Sequence, residues 1–315
     1  MVSEIAGYEI SVCVLTYNHK EFIADALNSV MGQKTNFGVE VLVFDDGSTD
    51  GTVEVLKDYE TQHKGKIRLF LAERNRGNYQ NGLQIVSHAT GKYIAFMDGD
   101  DKWLYDGKLQ QQVEYLQANP NMAGCFHDAA IEIVATSNDQ PKKTNWLFEG
   151  FRYYSQCYQY TSIYYPWDGL QRKIIPHSSL VVSRERCLQA ASEYPRLNLS
   201  GSWILQQLMI RGSAFKYFNE VWSLYREHKG GVTKKVDPLK FNLSNIKALR
   251  YFLSLPAYKG MRKLIYEAIA HEYKFILYSD TIGEVSLFRK MSYIFCYVYY
   301  SLMYILREAY HAFIK

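Results

Sequence analysis

The stretch Tyr93-Ile94-Ala95-Phe96-Met97-Asp98-Gly99-Asp100-Asp101 joins an apolar run directly to an acidic turn. A short, nearly continuous apolar run of this kind is typical of a strand buried on both faces of a parallel sheet. Ligands of such sheets bind beyond the carboxyl ends of the strands, and the acidic turn lies at that end. The stretch therefore predicts a buried parallel strand followed by a ligand site.

The residues before this stretch alternate the strand pattern with helical spacing. Strands are predicted at residues 10–15, 39–44 and 67–71, and helices at residues 21–31, after Thr49-Asp50, and around residues 83–88. Strands that alternate with helices of this length imply a doubly wound, mostly parallel sheet flanked by helices. The predicted fold class is therefore α/β.

Two more polar clusters follow predicted strands. Thr16-Tyr17-Asn18 ends the first strand, and Asp45-Asp46-Gly47-Ser48 ends the second. The carboxyl ends of parallel strands meet at one edge of a sheet, so we expect these clusters to lie beside Asp98-Gly99-Asp100-Asp101. Three acidic or amide clusters on one edge predict a binding site.

The acidic turn has the chemistry of a divalent-cation site. Two carboxylates repel a diphosphate, but together they can hold Mg²⁺ or Mn²⁺, which then binds the phosphate oxygens. The sequence has no Cys/His cluster of the kind that suits zinc. An Asp-x-Asp alone is usually a solvated turn or a helix cap, but its position after a buried strand favours the ligand site.

Composition excludes several classes of protein. The hydrophobic fraction of 48% and the charged fraction of 22% are ordinary for a globular chain, and a net charge of +4 does not argue for a nucleic-acid partner. The five cysteines contain no C-x-x-C pair, which excludes a zinc ribbon and fits a reducing compartment. Residues 1–7 lack the basic start of a signal peptide, so we expect a cytoplasmic protein.

The segments Val12 to Asn18, Val43 to Thr52 and Gly91 to Asp101 closely resemble the family 2 glycosyltransferases of bacterial type, which have the GT-A fold. The resemblance runs from about residue 8 to residue 234, and the order and spacing of the motifs make it specific. It implies a hexosyltransferase-like enzyme of polysaccharide biosynthesis. Such an enzyme moves a sugar, with inversion, from a nucleotide-diphosphate sugar (UDP-sugar favoured) to a glycan or lipid-linked acceptor, with Mg²⁺ or Mn²⁺ as cofactor.

The resemblance also implies roles for particular residues. Thr16 and Tyr17 would line the base and ribose pocket, Asp45 would accept a hydrogen bond from the base, and Asp98 would face the ribose. The full set implied for nucleotide-sugar binding is Thr16, Tyr17, Asn18, Asp45, Asp46, Asn75, Asn81, Asp98 and Gly99. Asp100 would be the principal metal ligand. His228, in the family's Tyr-Arg-x-His motif, would complete the metal-diphosphate site.

The general base is where this sequence departs from the family. An inverting transferase needs a base for the acceptor hydroxyl, and similar sequences have Gly-Asp-Trp where this chain has Gly201-Ser202-Trp203. One interpretation is a relocated base, with Asp128, Asp168 and Glu227 as candidates. A second is a non-catalytic sugar-nucleotide-binding or scaffold protein. A third is a shifted register in which Ser202 only caps a helix. We favour a working enzyme with a relocated base.

A third possible function is that of a nucleotidyltransferase, a class of enzyme that also binds its substrate on an α/β fold. It usually needs a Gly-rich phosphate loop after the first strand, and Thr16-Tyr17-Asn18-His19-Lys20 is not such a loop. The sequence therefore favours sugar transfer over nucleotidyl transfer.

The chain divides into a predicted catalytic domain, residues 1–236, and a helical C-terminal region, residues 237–315. Within the first, residues 8–134 form the nucleotide-binding half and residues 135–236 the acceptor-binding half. The aromatic stretch 146–167 is interpreted either as a lid or as a packed aromatic subcore.

The C-terminal region contains sixteen uncharged residues, 291–306, flanked by Arg289-Lys290 and Arg307. As a helix this segment would be ~24 Å long, short of the ~30 Å hydrocarbon core of a bilayer. An interfacial helix at the inner face of the cytoplasmic membrane suits it better than a span. The alternatives are packing on the core and an oligomer interface.

Overall fold

The computed structural model describes residues 7–75, 77, 84–134, 151–171, 173–197, 202–231, 237–278 and 286–314, with only the backbone described for 195–197 and 307–314. Asn81, which the resemblance assigned to nucleotide-sugar binding, lies outside the described residues. The first part of the aromatic stretch, up to residue 150, lies outside them as well.

A nine-stranded sheet forms the centre of the described chain. Its strands are β1 (Ile10–Thr16), β2 (Val39–Asp45), β3 (Ile67–Leu71), β4 (Tyr93–Asp98), β5 (Lys102–Trp103), β6 (Gly124–Ile133), β7 (Ile163–Tyr164), β8 (Val181–Ser183) and β9 (Phe215–Glu227). Their order is β3-β2-β1-β4-β8-β6-β9-β5, and β7 also pairs with β9.

The four predicted N-terminal strands are confirmed and pair in parallel, β3-β2-β1-β4. Strands β1, β2 and β4 are almost wholly buried because helices cover both faces, which is why they appear as continuous apolar runs. The edge strand β3 is only partly buried. The sheet then changes direction, since β8 runs antiparallel to both β4 and β6. The predicted α/β class with a mostly parallel sheet is confirmed.

The described helices lie on both faces of the sheet. They are α1 (Ile23–Met31), α2 (Thr52–Gln62), α3 (Lys108–Ala118), α4 (Tyr154–Tyr158), α5 (Pro166–Leu170), α6 (Arg184–Leu197), α7 (Ser202–Ile210), α8 (Pro238–Ser254), α9 (Arg262–Tyr278) and α10 (Leu287–Ile314). The predicted helical C-terminal region is confirmed, with a 3₁₀ segment at Pro256–Met261 between α8 and α9.

The C-terminal helices share a hydrophobic core with the sheet. Phe252 of α8 and Ile269 of α9 belong to the same buried cluster as Phe96 of β4 and Phe215 of β9. The core is therefore continuous across the predicted boundary at residue 236, and the division of the chain there stays a prediction.

Some of the tyrosines in the described part of the aromatic stretch pack in a subcore. The rings of Tyr160, Tyr164 and Tyr217 surround Phe126 at centroid distances of 5.1–5.5 Å. Such aromatic pairs stabilise a fold by more than the burial of their apolar area alone. Of the two interpretations of this stretch, the packed subcore describes Tyr154, Tyr160 and Tyr164, whereas Tyr165 and Trp167 stack on each other and are 38% and 41% exposed.

Candidate functional site

The ends of β1, β2 and β4 meet at one edge of the sheet. Thr16 pairs in register with Asp45, and Leu15 pairs with Asp98. The turns are also joined by backbone hydrogen bonds, because the Asp46 N–H donates to the Thr16 carbonyl at 3.0 Å and the Gly99 N–H donates to the Leu15 carbonyl at 2.7 Å. The three polar clusters therefore lie together at one edge of the sheet, as predicted.

The Asp45 turn is held by its own side chains. The buried carboxylate of Asp45 accepts hydrogen bonds from the Ser48 N–H at 2.8 Å and from the Ser48 hydroxyl. Gly47 has a φ of 73°, and a Cβ there would lie 2.7 Å from the backbone of Arg74. Only glycine fits that close approach without strain, so the turn keeps Asp45 at the sheet edge.

Asn18, Asp46 and Asn75 tie neighbouring loops together. The Asn18 side-chain oxygen accepts from the Thr49 N–H at 2.8 Å. The Gly77 N–H donates both to Asp46, at 3.0 Å, and to the side-chain oxygen of Asn75, at 2.9 Å. These residues lie in the predicted nucleotide region, where they order the loops around the edge.

The three carboxyl groups of the acidic turn differ in environment. Burial and the neighbouring Asp100 raise the pKa of Asp98 to about 8. Burial, Asp100 and Asp98 raise the pKa of Asp101 well above its ordinary value, although Asp101 accepts hydrogen bonds from the Ser178 hydroxyl and the Arg226 N–H. Asp101 is therefore an internal brace of the turn.

Asp100 is the ionised member of the turn. Burial alone would raise its pKa, but the hydrogen bond with His228 and the proximity of His19 hold the pKa below its ordinary value. Its Oδ2 atom lies 3.0 Å from His228 Nε2 and 3.4 Å from His19 Nε2. The three side chains are 10–17% exposed, so they are sheltered yet open to a ligand.

Asp100, His19 and His228 form a candidate metal-binding group. One ligand atom from each lies within 4.8 Å of the others. Burial lowers the pKa of His19 although Asp100 opposes the shift, which favours the neutral ring, whose lone pair can bind a cation. The structure brings together the predicted pair, Asp100 and His228, and adds His19, which the sequence prediction missed.

Several contacts orient the two imidazoles. His19 Nδ1 lies 3.3 Å from the Thr16 hydroxyl, and this contact fixes the orientation of the ring. Metal-binding histidines are commonly oriented in this way by a hydrogen bond to a residue that does not bind the metal itself. The Phe22 ring packs against His228 at 4.8 Å. A Cβ at Gly99 would lie 2.7 Å from the Thr16 hydroxyl oxygen and 3.1 Å from His19 Nδ1. A side chain at position 99 would therefore clash with Thr16 and His19, and glycine avoids this clash.

Arg226, also missed as a site residue, fastens the end of β9 to this edge. Its guanidinium forms ion pairs with Asp25 of α1 at 2.7 Å and with Glu132 of β6 at 3.1 Å. It also lies 5.4 Å from the centre of the Phe22 ring. These contacts position His228, which follows directly after β9.

The residues around His177 are a further part of the edge that the sequence prediction missed. The Ser178 hydroxyl accepts from the Asp98 N–H at 3.1 Å and donates to Asp101. The His177 ring packs on Phe96 at 4.7 Å, and burial lowers its pKa to about 4. Phe96 and Asp98 share a face of β4, so His177 lies on the Asp98 side of the sheet. The polar run His177-Ser178-Ser179 before a strand was the available signal.

The candidates for a general base occupy different environments. Asp128 is buried, and its carboxylate accepts from the N–H groups of Ala129 and Ser155. Asp168 caps α5 and pairs with Lys173 at 2.7 Å. Glu227 is buried and directly precedes His228, whereas Ser202 is exposed and is the first residue of α7. The identity of the base stays a prediction.

Known proteins resemble this chain in sequence and in fold. The sequence profile of glycosyl transferase family 2 matches residues 11–174. An uncharacterized protein of Mycobacterium tuberculosis is 36% identical over 226 residues, which is 71% of this chain and 60% of that relative. The chain therefore spans about three fifths of the length of this relative.

Two solved structures share the fold. TarS of S. aureus, residues 1–349, superimposes with a TM-score of 0.58 at 15% identity over 91% of this chain and 78% of TarS, and it has also been solved with UDP and with UDP-GlcNAc. The mannosyltransferase PcManGT of Pyrobaculum calidifontis, in complex with GDP-Man and Mn²⁺, superimposes with a TM-score of 0.54 at 16% identity over 96% of this chain and 85% of PcManGT.

Proposed function

The chain belongs to glycosyl transferase family 2, and from this premise we propose that it is a glycosyltransferase and propose the reaction that it catalyses. It transfers a sugar from a nucleotide-diphosphate sugar, with UDP as the favoured nucleotide, to a glycan or lipid-linked acceptor, with inversion at the anomeric carbon. The observation that carries the proposal is the group of Asp100, His19 and His228 at the sheet edge beside Asp45.

The donor side of the reaction follows from this geometry. Asp100 and the two imidazoles would hold a divalent cation, which would neutralise the charge that develops on the departing diphosphate. Two imidazole nitrogens suit Mn²⁺ better than the harder Mg²⁺. The Mn²⁺ complex of PcManGT and the UDP complexes of TarS support a metal and a nucleotide donor. Asp45, fixed by Ser48, would accept a hydrogen bond from the base.

Titration calorimetry with UDP, GDP and other nucleoside diphosphates tests the donor assignment. We expect one nucleotide to bind at least about tenfold more tightly with Mn²⁺ than after chelation with EDTA, because the cation removes the repulsion between Asp100 and the diphosphate. Equal affinities with and without Mn²⁺ would contradict the metal assignment. Failure of every nucleotide to bind would contradict the donor class.

A second candidate function is a non-catalytic sugar-nucleotide-binding or scaffold protein of the same fold. One observation favours it: the exposed Ser202 begins α7 where similar sequences place a carboxylate. A serine hydroxyl does not act as a base without its own activator. Both candidate functions therefore predict nucleotide binding, but only the enzyme is expected to turn over the sugar donor.

Replacing Ser202 with aspartate separates these candidates. With a relocated base, the Ser202→Asp variant should turn over donor within about twofold of the wild-type rate. The wild type would then already have the rate enhancement of roughly 10²–10⁴ that a general base supplies, and a second carboxylate would add little. Donor hydrolysis and sugar transfer are measured side by side. The control is Ser202→Asn, which matches the size of aspartate without its charge. A rise of about a hundredfold in Ser202→Asp alone would identify a lost base and support the second candidate.

A further inference from the structure

Helix α10 exposes a broad row of apolar side chains, which we call the apolar stripe. It consists of Leu287, Phe288, Met291, Ile294, Phe295, Val298, Tyr299, Leu302, Ile305 and Leu306, which are 45–85% exposed. The opposite face of α10, including Tyr293 and Tyr300, packs on the core. At 3.6 residues per turn the stripe covers an arc of about 140° over ~30 Å. Apolar patches of this size mark an interaction surface.

The width of the stripe indicates what covers it. Its centre follows alternating spacings of three and four residues, the pattern of a coiled-coil seam. In a two-stranded coiled coil the positions beside the seam usually carry charges. Here they include Leu287, Ile294, Tyr299 and Leu306. A single partner helix leaves such flanks in water, whereas the hydrocarbon of a lipid layer covers the whole arc.

The charge of the surrounding region points to the same partner. Residues 237–315 contain eleven Lys and Arg against six Asp and Glu, whereas residues 1–236 contain 25 against 26. The helical region therefore carries the positive charge of the chain. Arg289 and Lys290 lie at the start of the stripe, and the exposed rings of Phe275 and Tyr278 stand at the end of α9. Basic residues beside an apolar face attract anionic lipid headgroups.

We propose that the apolar stripe lies in the plane of a membrane that contains anionic lipids, with its side chains at the boundary between headgroups and acyl chains. Among the described residues there is no helix that is long and apolar enough to cross a bilayer. The orientation parallel to the surface lets α10 keep its packing on α9. This membrane contact is independent of the transfer reaction proposed above.

Sedimentation of the full chain with lipid vesicles tests the proposal. We expect the protein to sediment with vesicles of phosphatidylcholine and phosphatidylglycerol, less with phosphatidylcholine alone, and less at high salt, because both apolar burial and charge contribute. The double variant Phe295→Glu/Leu302→Glu should lower the partition coefficient at least about tenfold. The control, Leu71→Glu/Val221→Glu, places the same charges at exposed apolar positions of the sheet and should sediment like the wild type.

Several outcomes would overturn the proposal. These are a wild-type chain that stays in solution with both kinds of vesicle, a stripe variant that sediments like the wild type, and an equal loss in the control. Analytical ultracentrifugation without lipid adds another. A wild-type dimer that the stripe variant dissociates, with no vesicle binding by either, would assign the face to a second copy of the chain.

Discussion

Replacing Asp100 with alanine should abolish metal-dependent binding of nucleoside diphosphates. The change removes the ionised carboxylate from the candidate metal group and leaves only the two imidazoles, His19 and His228. In metal sites, removing a residue that only orients a ligand lowers the metal affinity by about 10- to 100-fold. Removing a ligand itself should therefore lower the metal affinity by at least about a hundredfold. Calorimetry with Mn²⁺ and the preferred nucleotide measures the loss, and sugar transfer should fall with it.

The matched control for this variant is Asp106→Ala. Asp106 is an exposed aspartate that pairs with Lys34 on the surface, and such a pair contributes little to binding or stability. His19→Ala and His228→Ala should each give a smaller loss than Asp100→Ala, because the carboxylate remains. Unchanged Mn²⁺-dependent nucleotide binding in Asp100→Ala would refute the site assignment.

Replacing Glu40 with alanine should lower the free energy of unfolding by about 2–3 kcal/mol. The buried carboxylate of Glu40 accepts hydrogen bonds from the Ser11 hydroxyl, the Thr90 N–H and hydroxyl, and the Gly91 N–H. These bonds join β1 and β2 to the turn before β4. Alanine leaves the buried Ser11 hydroxyl and the Thr90 N–H without this acceptor, which is costly. The Gly91 N–H keeps its hydrogen bond to the Ser11 hydroxyl. Urea denaturation followed by circular dichroism measures the change.

The effect of Glu40 should depend on pH in a defined direction. Burial alone would raise its pKa, but the hydrogen bonds from Ser11, Thr90 and Gly91 hold the pKa below the ordinary value of 4.5. A carboxyl with a lowered folded-state pKa stabilises the protein above its unfolded pKa and loses that contribution as pH falls through the folded pKa. The difference between the wild type and Glu40→Ala should therefore be full at pH 7 and shrink in acid.

The control for stability is Glu60→Ala. Glu60 is an exposed glutamate of α2, and substitutions at such positions usually change stability by no more than about 0.5 kcal/mol. An equal loss in both variants, or a Glu40→Ala difference that does not shrink in acid, would contradict the role of the buried hydrogen bonds.

The N-terminal half of the fold was predictable because its signals are local. The apolar runs just before Thr16, Asp45 and Asp98 predicted the strands to within one residue of the observed bounds. The later strands were harder to arrange. The insertion of β8 between β4 and β6 depends on contacts between distant segments.

For α10, the sequence predicted the helix and its apolar character from residues 291–306. The observed helix is longer, Leu287–Ile314. The composition did not tell which side chains would pack on the core and which would face outwards. The position of α9 decided it, because α9 covers one face of α10 and leaves the stripe exposed.

The acidic turn, the parallel strand before it and the expectation of a divalent cation came from the sequence by itself, because hydrophobic periodicity and turn chemistry are local properties. Only the tertiary structure decided that His19, from the loop after β1, would join His228 at Asp100. It also decided that Ser178 would brace Asp98 and Asp101. The physical reason is that strand pairing and helix packing fix distances between remote segments, and these distances leave no mark in the spacing of residues along the chain.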